Sequence, residues 1–164
     1  MAGTIVQVNV SPGGLPKRAV ASAFIATLGL RGDKHAHPAI HGGPRKAVLL
    51  IAAENVEELT HRGFPVFPGA LGENLTTRGL DYGGLRIGDQ LRAGGALLEI
   101  TQPRGPCNQL DIYGPGIQAE IYDSRVKARD AASPRWGMSG FYAAVLEEGP
   151  VSPGDAIRVL SKLA

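Results

Sequence analysis

Glycine and proline restrict the folds open to this chain more than any other feature, with 23 glycines and 12 prolines among 164 residues. Both types destabilise helix interiors, and both are frequent in tight turns. The apolar runs between them are short. Many turns that join short apolar segments are typical of β proteins. The sequence therefore predicts a mainly β fold, barrel-like or sandwich-like, with a few short helices.

The expected strands follow from alternating and continuous apolar patterns. Within Thr4 to Val10, the alternation of Val6, Val8 and Val10 with polar residues predicts a half-buried strand with the three valines on one face. One or two further strands are expected within Arg18 to Leu28, and single strands at Ala47 to Ile51, Ala96 to Ile100, Phe141 to Leu146 and Ala156 to Leu160.

A turn sequence occurs twice in the chain. Gly88-Asp89 and Gly154-Asp155 each precede an alternating apolar segment. Glycine and aspartate are both favoured in tight turns. The repeat therefore indicates two antiparallel strands of one barrel or sandwich.

Helical spacing of apolar residues also occurs twice. Val56 and Leu59 lie between acidic residues in Ala52 to Arg62, and Gly63 follows, so a helix is predicted there. Apolar residues within Ile117 to Asp130 indicate a second helix. The segments expected to be loops include Gly29 to Arg45 and Gly69 to Thr77. No linker or change of composition divides the chain, so we expect a single domain over residues 1–164.

Charge and composition exclude several classes of function. The formal net charge is only +2, and lysine and arginine are spread along the chain, so nucleic acid binding is not indicated. A single cysteine excludes an internal disulfide framework and an iron–sulfur cluster held by several thiolates. No apolar run approaches the ~20 residues that span a bilayer, and the N-terminus has no signal pattern. We therefore expect a soluble, cytoplasmic protein without membrane association.

The sole cysteine, Cys107, follows an apolar run and lies in a stiff loop. The run Ala96 to Ile100 leads into Thr101 to Cys107, where Pro103 and Pro106 each fix φ and remove a backbone donor. This places one thiol at the end of a strand, on a turn of restricted shape. A buried structural cysteine and a reactive thiol both fit, because the environment that lowers a thiol pKa is not visible in sequence.

Two chemistries that need only protein side chains or zinc are open at this stage. Zinc accepts imidazole and thiolate ligands, so His35, His37 and His41 with Asp33 or Cys107 form a candidate site. No second closely spaced ligand pair anchors that set. Cys107 with His41 as its base is a candidate nucleophile pair. Solvent-exposed loop histidines are the ordinary alternative.

A third possibility is a large anionic cofactor. Both predicted loops are rich in glycine, and adjacent Gly42 and Gly43 permit close backbone approach to a ligand. Basic and polar residues in or near these loops can bind phosphate, namely Arg31, Arg45, Lys46, Asn74, Thr76, Thr77, Arg78 and Arg104. The spacing matches neither the P-loop nor the dinucleotide fingerprint. A thiolate from Cys107 at the same end of a barrel would suit a soft or sulfur-bound metal.

Four phrases, taken in order, resemble one known family. They are Gly32-Asp33 with His41-Gly42-Gly43-Pro44; Gly69 with Leu71-Gly72-Glu73-Asn74-Leu75; Thr101-Gln102-Pro103 with Pro106-Cys107; and Gly140-Phe141-Tyr142-Ala143 with Val145-Leu146-Glu147-Glu148-Gly149 and Gly154-Asp155. Together they resemble the MOSC domain, the module named after the C-terminal part of molybdenum cofactor sulfurase. The resemblance extends from about Val6 to Val159.

The resemblance implies a β-barrel-like fold and a molybdenum cofactor, Mo-molybdopterin, whose metal is held by one protein thiolate. Similar single-domain bacterial members reduce N-hydroxylated compounds, including hydroxylaminopurines and amidoxime-like substrates. They take electrons from a separate flavoprotein reductase. The family is also associated with pyridoxal phosphate binding. Such a member detoxifies N-hydroxylated small molecules.

The resemblance also implies roles for particular residues. Cys107 takes the position of the molybdenum ligand, and His41 with Gly42 and Gly43 lines the pocket. Glu73 and Asn74 would orient the pterin or exchange protons with the N–O group. The remaining cofactor contacts expected from charge and position are Arg45, Thr76, Gln102 and Arg104. At Ala144 the sequence departs from many members, in which a basic residue is common.

Two other functions remain open from the sequence. In the first, Cys107 carries a persulfide and donates sulfur for metal–sulfur or cofactor assembly. In the second, the domain binds a cofactor or partner without turnover. The substrate, the electron donor and the oligomeric state are not determined by the sequence.

Overall fold

The computed structural model describes residues 1–34 and 42–161 and consists mainly of short strands. The strands are β1 (Ala2–Val10), β2 (Arg18–Val20), β3 (Ala23–Ala26), β4 (Gly29–Leu30), β5 (Val48–Ala52), β6 (Leu75–Arg78), β7 (Gln90–Ala93), β8 (Ala96–Pro103), β9 (Phe141–Glu147), β10 (Gly149–Val151) and β11 (Ala156–Ser161). The α-helices are α1 (Ala53–His61), α2 (Ile117–Ile121) and α3 (Ser124–Lys127). Short 3-10 helices occur at Pro44–Lys46, Tyr82–Gly84 and Asn108–Tyr113.

Seven of the described strands close into a barrel in the order β1-β11-β7-β8-β9-β5-β6, with β6 paired back to β1. The pairs in this ring are antiparallel except β5–β6, which is parallel. Strand β2 extends from β1 outside the ring, and β10, β3 and β4 form a small separate sheet. Closure leaves no free edge in the ring. The predicted β-barrel-like fold is confirmed.

Strand β5 explains why the run Ala47 to Ile51 is continuously apolar. Val48 and Leu50 belong to one hydrophobic cluster, which also contains Phe141, whereas Leu49 and Ile51 belong to a second cluster with residues of α1 and α2. Both faces of the strand are therefore buried. A strand covered on both sides has no need for polar residues at alternate positions.

Several predicted elements are present at nearly the expected positions. Helix α1 occupies Ala53–His61, and Gly63 follows it with a positive φ. The two segments after the Gly-Asp turns are β7 and β11, which pair antiparallel with Arg92 opposite Arg158. The predicted strands at Ala47 to Ile51, Ala96 to Ile100, Phe141 to Leu146 and Ala156 to Leu160 correspond to β5, β8, β9 and β11.

The expected single face of valines on β1 is wrong. The pairing of β1 with β6 shifts register between Ile5 and Gln7, which marks a bulge. Because a bulge reverses the side on which later residues lie, Ile5 and Val8 are both fully buried, whereas Val6 is 37% exposed. Asn9 follows Val8 and so lies on the other face of the strand. It is buried there as well, with its amide donating to the Glu73 carbonyl at 3.2 Å and to Thr76 Oγ1 at 3.1 Å.

Two other segments differ from the sequence-based expectation. Ile117 to Asp130 forms two short helices, α2 and α3, because Asp123 caps α3 by accepting a hydrogen bond from the Val126 N–H at 2.8 Å. The expected loop Gly69 to Thr77 contains the start of β6. None of the helices in residues 1–34 and 42–161 has the length and hydrophobicity needed to cross a membrane.

Candidate functional site

A pocket opens at the end of the barrel where β8 finishes. The space between its walls is ≈ 500 Å³ when the part that is open to solvent is included. Polar and ionisable side chains in its wall include Lys17, Lys46, Asn74, Arg104, Cys107 and Tyr142. The structure thus brings together four residues that the sequence singled out, Lys46, Asn74, Arg104 and Cys107. A concave site with a few convergent polar groups is the usual form of a small-molecule site.

The loop that carries Cys107 is fixed by backbone contacts. The Arg104 N–H donates to the Gly140 carbonyl at 2.9 Å, and Ser139 Oγ donates to the Arg104 carbonyl at 2.5 Å. Cys107 itself precedes the 3-10 helix Asn108–Tyr113, and its carbonyl accepts the Leu110 N–H at 3.2 Å. Its thiol is free and half-buried. The predicted placement of the thiol in a loop after the end of a strand is confirmed, since β8 ends at Pro103.

Arg104 is a buried cation in the pocket wall, only 5% exposed. Its Nη2 donates to the Leu71 carbonyl at 2.7 Å. Its Nε and Nη1 have no hydrogen-bond partner among the described residues. Buried donors are normally satisfied, so two guanidinium nitrogens without an acceptor indicate a position suited to an anionic group.

Lys17 is a second pocket cation, and the sequence analysis missed it. Its Nζ lies 2.6 Å from Asp33 Oδ1, and both side chains are more than nine-tenths buried. Asp33 also accepts the Ser11 N–H at 2.9 Å and the Asn74 amide Nδ2 at 2.8 Å. Gly32-Asp33 was recognised as a family motif, but no local pattern identifies a partner 16 residues earlier.

Asn74 connects this network to the barrel. Its Oδ1 accepts the Leu49 N–H at 3.1 Å, and its backbone N–H donates to the Leu49 carbonyl at 2.9 Å. Its Nδ2 donates to Asp33 at 2.8 Å and to the Asn9 carbonyl at 3.3 Å. Both the oxygen and the nitrogen of the side-chain amide are therefore hydrogen-bonded. This arrangement gives Asn74 a defined orientation beside Lys17.

Lys46 and Tyr142 form another part of the wall. The Lys46 ammonium lies 5.5 Å from the centre of the Tyr142 ring, within the range of a cation–π interaction. Burial raises the pKa of Tyr142, Arg104 opposes that shift, and Cys107 adds to it. The phenol is consequently protonated at neutral pH. Tyr142 and Cys107 line the same pocket.

Glu73 and Thr76 lie in the protein interior and are not among the residues that line the pocket. Glu73 Oε2 accepts the Gly69 N–H at 2.9 Å and Thr76 Oγ1 at 2.8 Å. Burial raises the pKa of Glu73, and its hydrogen bonds and Arg104 act in the opposite direction. The two residues form a buried polar cluster behind the pocket wall, together with the Asn9 amide.

The other predicted site residues lie near the pocket but are not in its described wall. Gly42 and Gly43 precede the 3-10 helix Pro44–Lys46, and Gly43 has a φ of 96°. Arg45 is exposed, and its carbonyl accepts Thr101 Oγ1 at 2.6 Å. Gln102 is half-buried on β8, opposite Tyr142 on β9. Their expected roles in cofactor binding stay predictions.

The predictions that concern His35, His37 and His41 lie outside the described residues. These include the zinc site, the thiol–imidazole pair and the placement of His41 in the pocket. In residues 1–34 and 42–161 there is no group of three histidine, cysteine, aspartate or glutamate side chains that would hold a metal ion.

Fold and site together define a class of protein. It is a closed β barrel that places one thiol, three cations and a protonated phenol around a pocket at one end. A model of the MOSC domain family matches residues 37–158. The chain belongs to the MOSC family, which as a family is associated with the molybdenum cofactor.

Curated relatives match over most of this chain. A Bacillus subtilis protein, the uncharacterised YflK, is 38% identical over 153 residues, which cover 91% of this chain and 64% of YflK. The Escherichia coli protein YiiM is 29% identical and is matched over 86% of this chain and 60% of its own length. This chain therefore spans about three fifths of the length of these two relatives. A Gibberella moniliformis protein named a reductase is 31% identical, with 85% of this chain and 24% of that protein covered.

Solved structures of relatives have the same fold. YiiM from Geobacillus stearothermophilus superposes with a TM-score of 0.75 at 28% identity, covering 97% of this chain and 75% of that one. YiiM from Escherichia coli superposes with a TM-score of 0.66 at 25% identity, covering 100% of this chain and 72% of that one.

Proposed function

We propose that this protein binds Mo-molybdopterin in the pocket beside Cys107 and reduces N-hydroxylated small molecules. The observation that carries the proposal is that one pocket wall contains both a half-buried thiol and a buried arginine whose Nε and Nη1 have no hydrogen-bond partner among the described residues. Family membership supports the same cofactor. The name of the Gibberella relative supports a reductase class of activity.

The residues present fit that cofactor chemically. A thiolate is a ligand that soft, sulfur-bound metals prefer, and Cys107 is the chain's one thiol. The phosphate of the cofactor needs cationic hydrogen-bond donors, and Arg104, Lys17 and Lys46 all belong to the same wall.

The chain's own groups then have distinct roles. Cys107 binds the metal, Arg104 and Lys17 hold the anionic end of the cofactor, and Asn74 keeps Asp33 and Lys17 in place. When bound, the cofactor supplies two-electron redox chemistry at its metal. Tyr142 lines the same pocket as Cys107, holds a proton at its Oη and is a candidate donor to the leaving oxygen.

The overall reaction consumes two electrons and two protons. The N–O bond of a hydroxylamine breaks, the nitrogen becomes an amine, and the oxygen leaves as water. We propose that a separate flavoprotein reductase supplies the electrons. The sequence supports this dependence, because it has neither a dinucleotide fingerprint nor the several cysteines that an iron–sulfur relay needs.

Turnover with a small-molecule donor tests the activity directly. Protein produced in a host that makes the cofactor is assayed for reduction of benzamidoxime and of a hydroxylaminopurine with reduced methyl viologen. We expect product from the wild type and none from a folded Cys107→Ser variant. A folded variant that retains full activity contradicts the proposal.

A sulfur carrier is the alternative function, and the half-buried thiol also favours it. In that function Cys107 bears a persulfide, and intact mass measurement shows one additional sulfur on the wild-type chain but not on Cys107→Ser. Persulfide in a wild type that has no pterin and no reductase activity would replace the reductase proposal with this one.

A further inference from the structure

The carboxylate of Glu73 is enclosed completely, although it is only one residue from a pocket residue. Its side chain is 0% exposed, and it is followed in sequence by Asn74, which lines the pocket. Burying a carboxyl group costs free energy unless it is hydrogen-bonded or paired. The position of Glu73 behind the pocket wall therefore has to be explained by the contacts that its carboxyl group makes there.

Two hydrogen bonds tie this carboxylate to both ends of a turn. Oε2 accepts the N–H of Gly69, the first residue of the turn, at 2.9 Å. It also accepts the hydroxyl of Thr76, which lies on β6 after the turn, at 2.8 Å. The turn is closed by the Gly72 N–H, which donates to the Gly69 carbonyl at 3.1 Å. Glu73 thus fixes the path of the backbone from Gly69 to β6.

The same turn holds the pocket arginine. The Leu71 carbonyl, at the centre of the turn, accepts Arg104 Nη2 at 2.7 Å. It is the one acceptor that the described residues provide for the guanidinium, since Nε and Nη1 have none. A guanidinium is rigid and planar, so anchoring Nη2 restricts where Nε and Nη1 can lie.

We infer that Glu73 is a positioning residue, which shapes the Gly69–Asn74 turn so that the Leu71 carbonyl holds Arg104 in the pocket wall with Nε and Nη1 left for an anionic ligand. This inference rests on the proposed function, in which Arg104 binds the anionic end of the cofactor. It assigns Glu73 to hydrogen-bond acceptance and not to contact with the ligand. It also gives a reason for the Gly-Glu-Asn sequence at Gly72 to Asn74, since Glu73 fixes Arg104 and Asn74 fixes Lys17 through Asp33.

Binding of inorganic pyrophosphate to cofactor-free protein tests the inference, measured by isothermal titration calorimetry. Glu73→Met removes the acceptor, and we expect it to weaken pyrophosphate binding by about tenfold. Glu73→Gln keeps an acceptor oxygen, and we expect near wild-type affinity. If Glu73 acted on the anion only through its charge, both variants would bind pyrophosphate more tightly, and that result overturns the inference.

The dependence on Arg104 is tested in a second background. Arg104→Lys keeps a cation, and so a measurable affinity, but loses the planar fork. We expect Glu73→Met to have no further effect on affinity in this background. An equal loss in both backgrounds shows a general structural effect of Glu73 and overturns the inference. Glu57→Met is the matched control, because Glu57 is exposed on α1 and is expected to leave pyrophosphate affinity unchanged.

A second variant and the wild-type measurement cover the cases in which Glu73→Met does not fold or pyrophosphate does not bind. If Glu73→Met does not fold, Thr76→Val removes one of the two contacts to Oε2 with little change in shape. We then expect a smaller loss of affinity that again disappears with Arg104→Lys; persistence of the loss overturns the inference. If the wild type does not bind pyrophosphate, the pocket has no anion site, and the proposed function is contradicted. If the wild type binds pyrophosphate and Glu73→Met binds it equally well, only the positioning role of Glu73 is contradicted.

Discussion

Lys17 and Asp33 form an ion pair inside the protein, with Nζ and Oδ1 2.6 Å apart and exposed fractions of only 8% and 3% for their side chains. The pair connects two segments that flank the pocket, one before β2 and one after β4. Asp33 is stabilised further by Ser11 and Asn74. Since a buried charge needs a partner, the carboxylate keeps the ammonium in the wall rather than in solvent.

Removing the lysine is expected to destabilise the fold. Lys17→Met leaves the Asp33 carboxylate buried without its cation, and we expect a loss of about 3 kcal/mol in the free energy of unfolding, measured by urea denaturation. Asp33→Asn in the same chain removes the unpaired charge and should recover part of that loss. A double variant as unstable as, or less stable than, Lys17→Met contradicts this reading of the pair.

A single methyl group at Gly69 should disrupt the turn behind the pocket. Gly69 has a φ of +93°, and an added Cβ lies 2.2 Å from the Lys17 carbonyl oxygen. We expect Gly69→Ala to cost roughly 3 kcal/mol or more in the free energy of unfolding, because backbone strain and a clash with backbone act together.

The matched control for this substitution is Gly154→Ala. Gly154 has a φ of +94°, but an added Cβ there meets no atom within 4 Å. Only the conformational cost of about 1–2 kcal/mol applies. Equal losses of stability in the two variants would show that the close approach of Gly69 to Lys17 has no energetic effect.

The buried Glu73 carboxyl predicts a pH dependence of stability. Burial raises its pKa above the ordinary value of 4.5, so the folded protein binds this proton more tightly than the unfolded chain does. This tighter proton binding adds to the free energy of unfolding. The contribution is fully present below pH 4.5 and is lost as the pH rises through the pKa of Glu73 in the folded protein. The free energy of unfolding of wild type relative to Glu73→Gln should therefore fall from pH 4 upward, as measured by urea denaturation at a series of pH values. An increase over that range contradicts a raised pKa.

The parts of the fold that sequence reasoning predicts are those governed by local patterns. Strand β5 is apolar at every position because both its faces are buried, and α1 has regular spacing and a glycine at its end. The bulge in β1 depends on pairing with β6, which follows about 70 residues later, so the outward position of Val6 and the burial of Asn9 have no local signal. Likewise, β6 is short and pairs in parallel with β5, and four residues do not distinguish it from a loop.

The same distinction applies to the site. Cys107 is unique in the chain and is framed by prolines, so the sequence locates it. Lys17 enters the pocket only because Asp33 holds it there, and two distant charged residues do not show that they pair. Glu73 was expected to act on the ligand, but its position behind the wall is set by the turn and by Thr76. Tertiary contacts, rather than residue types, decide which of these side chains line the pocket and which lie behind its wall.

The most direct test of the proposed function is the molybdenum and pterin content of protein produced in a cofactor-making host. Metal is measured by mass spectrometry and pterin by fluorescence after oxidation, for wild type, Cys107→Ser and the exposed-site control Glu57→Gln. We predict near-stoichiometric metal and pterin in wild type and in Glu57→Gln, and loss of metal in Cys107→Ser while it remains folded. Wild-type protein without molybdenum or pterin, or a Cys107→Ser variant that keeps its metal, contradicts the assignment of Cys107 as the molybdenum ligand.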